Sequence, residues 1–119
     1  MRVLLDEMVS KKLAGQLGGH EVTTVQRQGW AGLTNGRLLD AIDSLFDVFI
    51  TMDKGIRHQQ RLVGRAFGVI EVRARSNDID DILPLVSQIL DTMRTIKPGD
   101  IMTIGVSDAQ EDITPTPPT

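Results

Sequence analysis

Residues 1–7 read Met-Arg-Val-Leu-Leu-Asp-Glu, an apolar run that ends in two acids. A short apolar run that ends in charge is typical of a strand buried in the middle of a parallel sheet. Four more strand-like runs follow along the chain, at 21–25, 46–51, 67–72 and 101–106. The sequence therefore predicts five strands, of which the first is central.

Helical segments separate these predicted strands. Ser10 is placed to cap the first, and Thr34 or Asn35 the second. A short helix is expected around 57–63, and residues 79–96 keep a 3.6-residue apolar period throughout. Because strands and helices alternate, the chain is expected to be an α/β protein with a mostly parallel five-stranded sheet and helices on both faces.

Composition limits the functions open to the chain. A length of 119 residues suits one domain, expected over 1–106, followed by a disordered, acidic and Pro-rich tail over 107–119. The absence of cysteine excludes disulfides, thiolate nucleophiles and cysteine metal sites, and it fits a cytoplasmic protein. No segment has the length of a membrane span, so no membrane partner is expected.

Basic residues are concentrated in the second half of the chain. Between positions 54 and 75 there is one acid, Glu71, against six basic residues: Lys54, Arg57, Arg61, Arg65, Arg73 and Arg75. A local basic surface favours an anionic partner such as an RNA backbone. The simpler interpretation is a solvated face whose arginines pair with Asp residues elsewhere.

Acids are expected to gather at one edge of the sheet. Parallel strands place their carboxyl ends together, where polar sites form. Asp6 and Glu7 follow the first predicted strand, Asp53 follows the third, and Arg73 and Arg75 follow the fourth. Neighbouring carboxylates repel unless a cation neutralises them, and oxygen ligands suit Mg²⁺ or Mn²⁺. Such an ion would activate water and stabilise the charge that develops when a phosphodiester is cut.

Four segments, taken in order, give the sequence a resemblance to a known family. They are Met-Arg-Val-Leu-Leu-Asp-Glu at 1–7, Gly-Trp-Ala-Gly-Leu-Thr-Asn-Gly at 29–36, Val-Phe-Ile-Thr-Met-Asp at 48–53 and Val-Arg-Ala-Arg-Ser-Asn at 72–77. Together they resemble the compact PIN-like proteins, which are relatives of the VapC toxins of bacterial toxin–antitoxin pairs. The resemblance covers about residues 1–106 and implies a three-layer α/β sandwich.

The resemblance implies a metal-dependent endoribonuclease. Asp6 matches the acid at the end of the first strand, and Asp53 matches the acid of a Thr-x-Asp pattern whose Thr51 would orient Asp53 or a metal-bound water. Glu7 matches the second acid of these small relatives. Where the family places Asp or Glu in the first turn of the second helix, this chain has Asn35, a neutral oxygen ligand, and Arg37.

The residues expected in the site have three roles: catalysis, metal binding and substrate binding. Catalysis is assigned to Asp6, Asp53 and Glu7, and the metal to Asp6, Asp53 and Asn35. The expected substrate contacts are Arg73, Arg75, Lys54, Arg57 and Thr51.

Three functions remain open from the sequence. The first is a Mg²⁺- or Mn²⁺-dependent ribonuclease, a candidate toxin with RNA as substrate, an antitoxin protein as partner and a homodimer as a further expectation. The second is a PIN-like module with weakened catalysis that binds RNA or a protein partner. The third, a flavodoxin-like phosphate or nucleotide binder, is less favoured because Glu-Met-Val-Ser at 7–10 replaces a Gly-rich phosphate loop.

Overall fold

The structure of the chain is a computed structural model that describes residues 1–56 and 62–105. Its strands are β1 (Arg2–Leu5), β2 (Glu21–Thr24), β3 (Val48–Thr51), β4 (Gly68–Arg73) and β5 (Ile101–Gly105). They form one sheet in the order β2-β1-β3-β4-β5, and every neighbouring pair is parallel. The α/β class and the parallel five-stranded sheet predicted from the sequence are confirmed.

Helical segments in the described part are short. The α-helices are α1 (Asn35–Ile42), α2 (Ile79–Ile82) and α3 (Val86–Thr95), and the 3₁₀ helices are Lys11–Gln16 and Leu83–Leu85. Ser10 caps the first 3₁₀ helix, since its side chain accepts a hydrogen bond from the Lys12 N–H. Thr34 caps α1 by accepting from the Arg37 N–H, so Asn35 is the first residue of that helix.

The prediction of one uninterrupted helix over 79–96 is wrong. Apolar residues keep their helical period through this segment, but the structure divides it into α2, a 3₁₀ turn and α3. Pro84 lies in the 3₁₀ turn. Proline has no N–H to donate and its ring clashes with the carbonyl four residues earlier, so an α-helix cannot continue through it unchanged. The apolar period indicates which residues face the core, but it does not indicate this break in the helix.

Two expectations fall on residues that the structure does not describe. The short helix expected around 57–63 lies largely at 57–61, and the predicted disordered tail lies within 106–119. In the described ranges, 1–56 and 62–105, no helix has both the length and the apolar character to cross a membrane.

Apolar side chains form two clusters that involve the sheet. One contains Val3, Leu5 and Ile50 together with helical residues, among them Ile89 and Met93. The other contains strand residues and the buried face of α1: Leu4, Phe49, Val69, Leu38, Leu39 and Ile42. Consecutive residues of β1 thus alternate between the clusters, as the two-residue period of a strand requires.

Trp30 packs on the second of these clusters. It is half-buried, and its ring meets Phe46 edge-on at a centroid distance of 6.0 Å. An edge-to-face pair of this kind stabilises the fold through burial and the quadrupoles of the two rings. The geometry therefore accounts for Trp30 as a packing residue.

Candidate functional site

The candidate site lies where the order of the strands reverses. The chain runs from β1 outward to β2, then returns to the other side of β1 as β3. Crevices outside the carboxyl ends of strands at such a switch point are the usual ligand sites of open α/β sheets. Asp6 follows β1, and Asp53 lies two residues beyond the end of β3. The connectivity therefore brings these two acids to the same edge.

A fully buried threonine connects the two acids. The Thr51 hydroxyl donates a hydrogen bond to Asp6 Oδ2 at 2.7 Å and accepts one from the Asp53 backbone N–H at 3.0 Å. The β ladder continues into Asp6, whose N–H donates to the Ile50 carbonyl at 2.9 Å. Asp6 and the Asp53 backbone are thus tied to one side chain that cannot move freely.

Backbone groups hold the carboxylates themselves. Asp6 Oδ1 accepts from the Glu7 N–H at 2.9 Å, and Asp53 Oδ1 accepts from the Gly55 N–H at 2.9 Å. Glu7 is exposed and also contributes its carbonyl, which accepts from Gln26 Nε2 at 3.3 Å. These hydrogen bonds from backbone N–H groups hold both carboxylates in fixed orientations.

The expected metal ligands are placed as follows. Asp6 and Asp53 are partly buried at the sheet edge, and Asn35 is half-buried at the start of α1, where it makes a further contact. Across residues 1–56 and 62–105, the structure contains no group of three or more His, Cys, Asp or Glu side chains arranged to hold a metal ion.

A polar row extends the site across the sheet. Thr51 pairs with Glu71 of β4, and Glu71 pairs with Thr103 of β5, so the row crosses three strands in register. The Thr51 hydrogen bond joins this row to Asp6, just beyond the end of β1. Within the described part of the chain, Thr51 and Glu71 are the polar or charged residues that are fully buried. Glu71 accepts hydrogen bonds from Arg73 Nε at 3.2 Å and Thr103 Oγ1 at 3.2 Å.

Glu71 was not predicted from the sequence as a site residue. A signal was present, since Glu71 is the one acid in the strand-like run 67–72 and in the basic segment around it. Its alignment with Thr51 depends on the register between β3 and β4, which the sequence of either strand alone does not give.

The expected substrate contacts differ in their exposure and in their partners. Arg73 is half-buried and bonds Glu71 through Nε, whereas Arg75 is exposed. Both line a cleft of about 200 Å³ that Asp80 and Asp81 also line. Lys54 is exposed in the turn after Asp53, and Arg57 lies outside the described residues.

Arg65 fits the simpler interpretation of the basic segment, in which arginines pair with Asp residues elsewhere. Its Nη1 bonds Asp40 Oδ1 at 2.6 Å and Asp43 Oδ2 at 3.4 Å. The hydrogen bond to Asp40 is the main cause that raises the pKa of Arg65 above its ordinary value. Arg65 therefore joins the residues after β3 to α1, with its charge neutralised by two Asp side chains. This part of the basic segment is structural.

No protein-family model, curated protein or solved structure matches the chain.

Proposed function

We propose that the chain is a PIN-like, metal-dependent endoribonuclease centred on Asp6 and Asp53. The observation that carries the proposal is the Thr51 hydroxyl, which contacts both positions at the switch point of the sheet. Two acids brought to the same edge of the sheet favour a divalent cation, since neighbouring carboxylates repel each other without one. The Thr-x-Asp pattern and the four segments that resemble the PIN-like proteins support the same assignment.

The PIN-like three-layer architecture belongs to this proposal. Support comes from the two apolar clusters, which combine strand residues of alternating parity with residues of different helices. A parallel sheet is normally covered on both faces, because its crossover connections place helices there. We propose that α1 covers one face and that α2 and α3 cover the other.

The donor chemistry at the edge fits Mg²⁺ or Mn²⁺. Asp6 and Asp53 offer carboxylate oxygens, and Asp53 Oδ2 has no hydrogen-bond partner within the described ranges. Mg²⁺ is commonly bound by one or two carboxylates while water and substrate phosphate complete its shell, so a pair of acids is sufficient. Asn35 would add a neutral oxygen, and Glu7 an exposed acid close by. When bound, the ion would activate water and stabilise charge on the phosphodiester.

The protein side chains would divide the remaining work. Thr51 holds Asp6 in one orientation, which limits the entropy lost when the site binds its ligands. Arg73 and Arg75 lie at and just beyond the end of β4, and each guanidinium can hold a phosphate through two N–H groups. Lys54 and Arg57 would add charge along the RNA backbone. In this proposal the protein acts in the cytoplasm, as a candidate toxin with an antitoxin partner and a homodimeric form.

Titration of the full chain with Mn²⁺ by calorimetry tests the ion site. We expect binding that is lost in Asp6→Asn and in Asp53→Asn, because each change removes a negative charge but little volume. The matched control is Asp91→Asn on the exposed face of α3, which should bind Mn²⁺ like the wild-type chain. An absence of binding at millimolar Mn²⁺ would refute the nuclease assignment.

The second candidate is a PIN-like module that binds RNA or a protein without cutting. One observation favours it: the first turn of α1, where the family places an acid, contains none and carries Arg37. A cation there would oppose metal binding or pair with the acids. This candidate predicts RNA binding without Mn²⁺ binding, so the same titration separates the two functions.

A further inference from the structure

A cavity of about 540 Å³ opens beside β2. It lies between that strand and the first 3₁₀ helix, and the lining residues are Lys11, Ala14, Val22, Thr23, Thr24, Gln26 and Arg27. We call it the Lys11–Arg27 cleft. Its volume is in the range of sites that bind small ligands or one unit of a polymer. It belongs to none of the positions assigned above to the ion or to substrate.

The charged residues that line the cleft are all positive. Lys11 and Arg27 contribute two positive charges, and no acid lines the cavity. Neither cation pairs with an acid anywhere in residues 1–56 or 62–105. This differs from Arg65 and Arg73, which are both paired. Two cations that line one concave surface without an acid favour an anionic ligand.

The backbone on both sides of the cleft is held in place. Arg27 donates its N–H to Thr24 Oγ1 at 3.1 Å, and the turn closes with Trp30 N–H bonded to the Val25 carbonyl at 3.0 Å. On the other wall, Ser10 caps the 3₁₀ helix that begins at Lys11. Cations carried on a fixed backbone lose less entropy when they bind a ligand.

Direct contacts connect the cleft to the acidic edge. Gln26, which lines the cleft, donates to the carbonyl of Glu7, the residue that follows Asp6. The Val9 N–H bonds the Asp6 carbonyl at 3.0 Å, so a tight turn leads from Asp6 to the helix that carries Lys11. The cleft therefore adjoins the acidic edge on the β2 side of the sheet.

We propose that the Lys11–Arg27 cleft binds a backbone phosphate of the RNA, on one side of the phosphate that lies at Asp6 and Asp53. The choice of RNA as the polymer rests on the proposed function. No aromatic side chain lines the cleft, so it offers charge and hydroxyl groups and no surface for stacking a base. The cleft would raise affinity without selecting a sequence, as phosphate contacts do.

Binding of a labelled single-stranded RNA, followed by anisotropy in EDTA, tests the cleft separately from cleavage. The double variant Lys11→Gln/Arg27→Gln is expected to bind about tenfold more weakly, the effect of losing charge-assisted hydrogen bonds to one phosphate. The slope of log affinity against log salt should become shallower by about 0.7 for that lost contact. The control is Arg94→Gln/Lys97→Gln, which removes the same charges from exposed positions and should change affinity less than about twofold.

Each outcome of this experiment decides the proposal. Equal losses in the two double variants, or no RNA binding by the wild-type chain, would overturn it. A cleft that serves free phosphate instead would bind inorganic phosphate alone in the wild-type chain, while RNA affinity stays the same in Lys11→Gln/Arg27→Gln. If RNA binding depends on the cleft but Mn²⁺ does not bind, the cleft stands and the nuclease assignment fails.

Discussion

Asp6→Asn is expected to slow Mn²⁺-dependent RNA cleavage at least about 100-fold, which corresponds to about 2.7 kcal/mol of lost transition-state stabilisation. The change removes the charge that would hold the ion. The amide oxygen can still accept the hydrogen bond from the Thr51 hydroxyl, and the exposed Glu7 N–H, which loses its acceptor, can bond to water. The fold should therefore survive the substitution. The measurement is the single-turnover cleavage rate of a labelled RNA at saturating Mn²⁺, with thermal unfolding of each variant measured in parallel.

Two further variants give this experiment its controls. Asp53→Asn should reduce the rate to a similar extent, because the two acids share one ion. Asp91→Asn, which changes an exposed acid on α3, should cleave at the wild-type rate. Cleavage that persists in both site variants at the wild-type rate would show that these acids are not the catalytic groups.

Glu71→Ala is expected to lower the free energy of unfolding by about 3 kcal/mol. Removing one member of a buried charged pair leaves the other without compensation, which typically costs 3–5 kcal/mol. Glu71→Ala removes the acceptor to which Arg73 and the Thr103 hydroxyl now donate. The Arg73 side chain is 27% exposed, and its access to water reduces the free-energy cost. For a domain of this size the melting temperature should fall by roughly 10–20 °C.

Two comparison variants separate the effect of the buried pair from ordinary loss of contacts. Glu71→Gln keeps the shape and an acceptor, so it should cost less than Glu71→Ala and remain measurable if the alanine variant fails to fold. Glu21→Ala, at an exposed acid of β2, should change stability by less than about 0.5 kcal/mol. If Glu71→Ala is no more destabilising than Glu21→Ala, the polar row makes no contribution to stability.

Some features of the fold follow directly from local sequence. The apolar run ending at Asp6 predicted a buried strand, and β1 is a central strand of the sheet. Alternating strands and helices implied parallel pairing, because a parallel crossover needs a connection long enough to hold a helix. The Ser10 cap was predicted because a hydroxyl before a helix satisfies a free N–H, as it does here with Lys12.

Features that depend on relations between distant segments were not predicted. Glu71 lies beside Thr51 because of strand register, and Arg65 pairs with Asp40 because the chain after β3 returns to α1. The break at Pro84 could have been found, since proline is a local signal, but the regular apolar period around it favoured one helix. In the candidate site, the sequence predicted which acids share an edge and that Thr51 would orient Asp53 or a metal-bound water, but it did not predict the hydrogen bond from Thr51 to Asp6.

A crystal structure of the full chain soaked in Mn²⁺ would show whether Asp6 and Asp53 hold a metal ion, because Mn²⁺ is visible by its anomalous scattering. One Mn²⁺ is expected within about 2.5 Å of carboxylate oxygens from both Asp6 and Asp53. The hydrogen bond from Thr51 to Asp6 is expected to remain in place. A soaked structure with no ion at these acids, or with Mn²⁺ held elsewhere, would contradict the assignment of Asp6 and Asp53 as metal ligands.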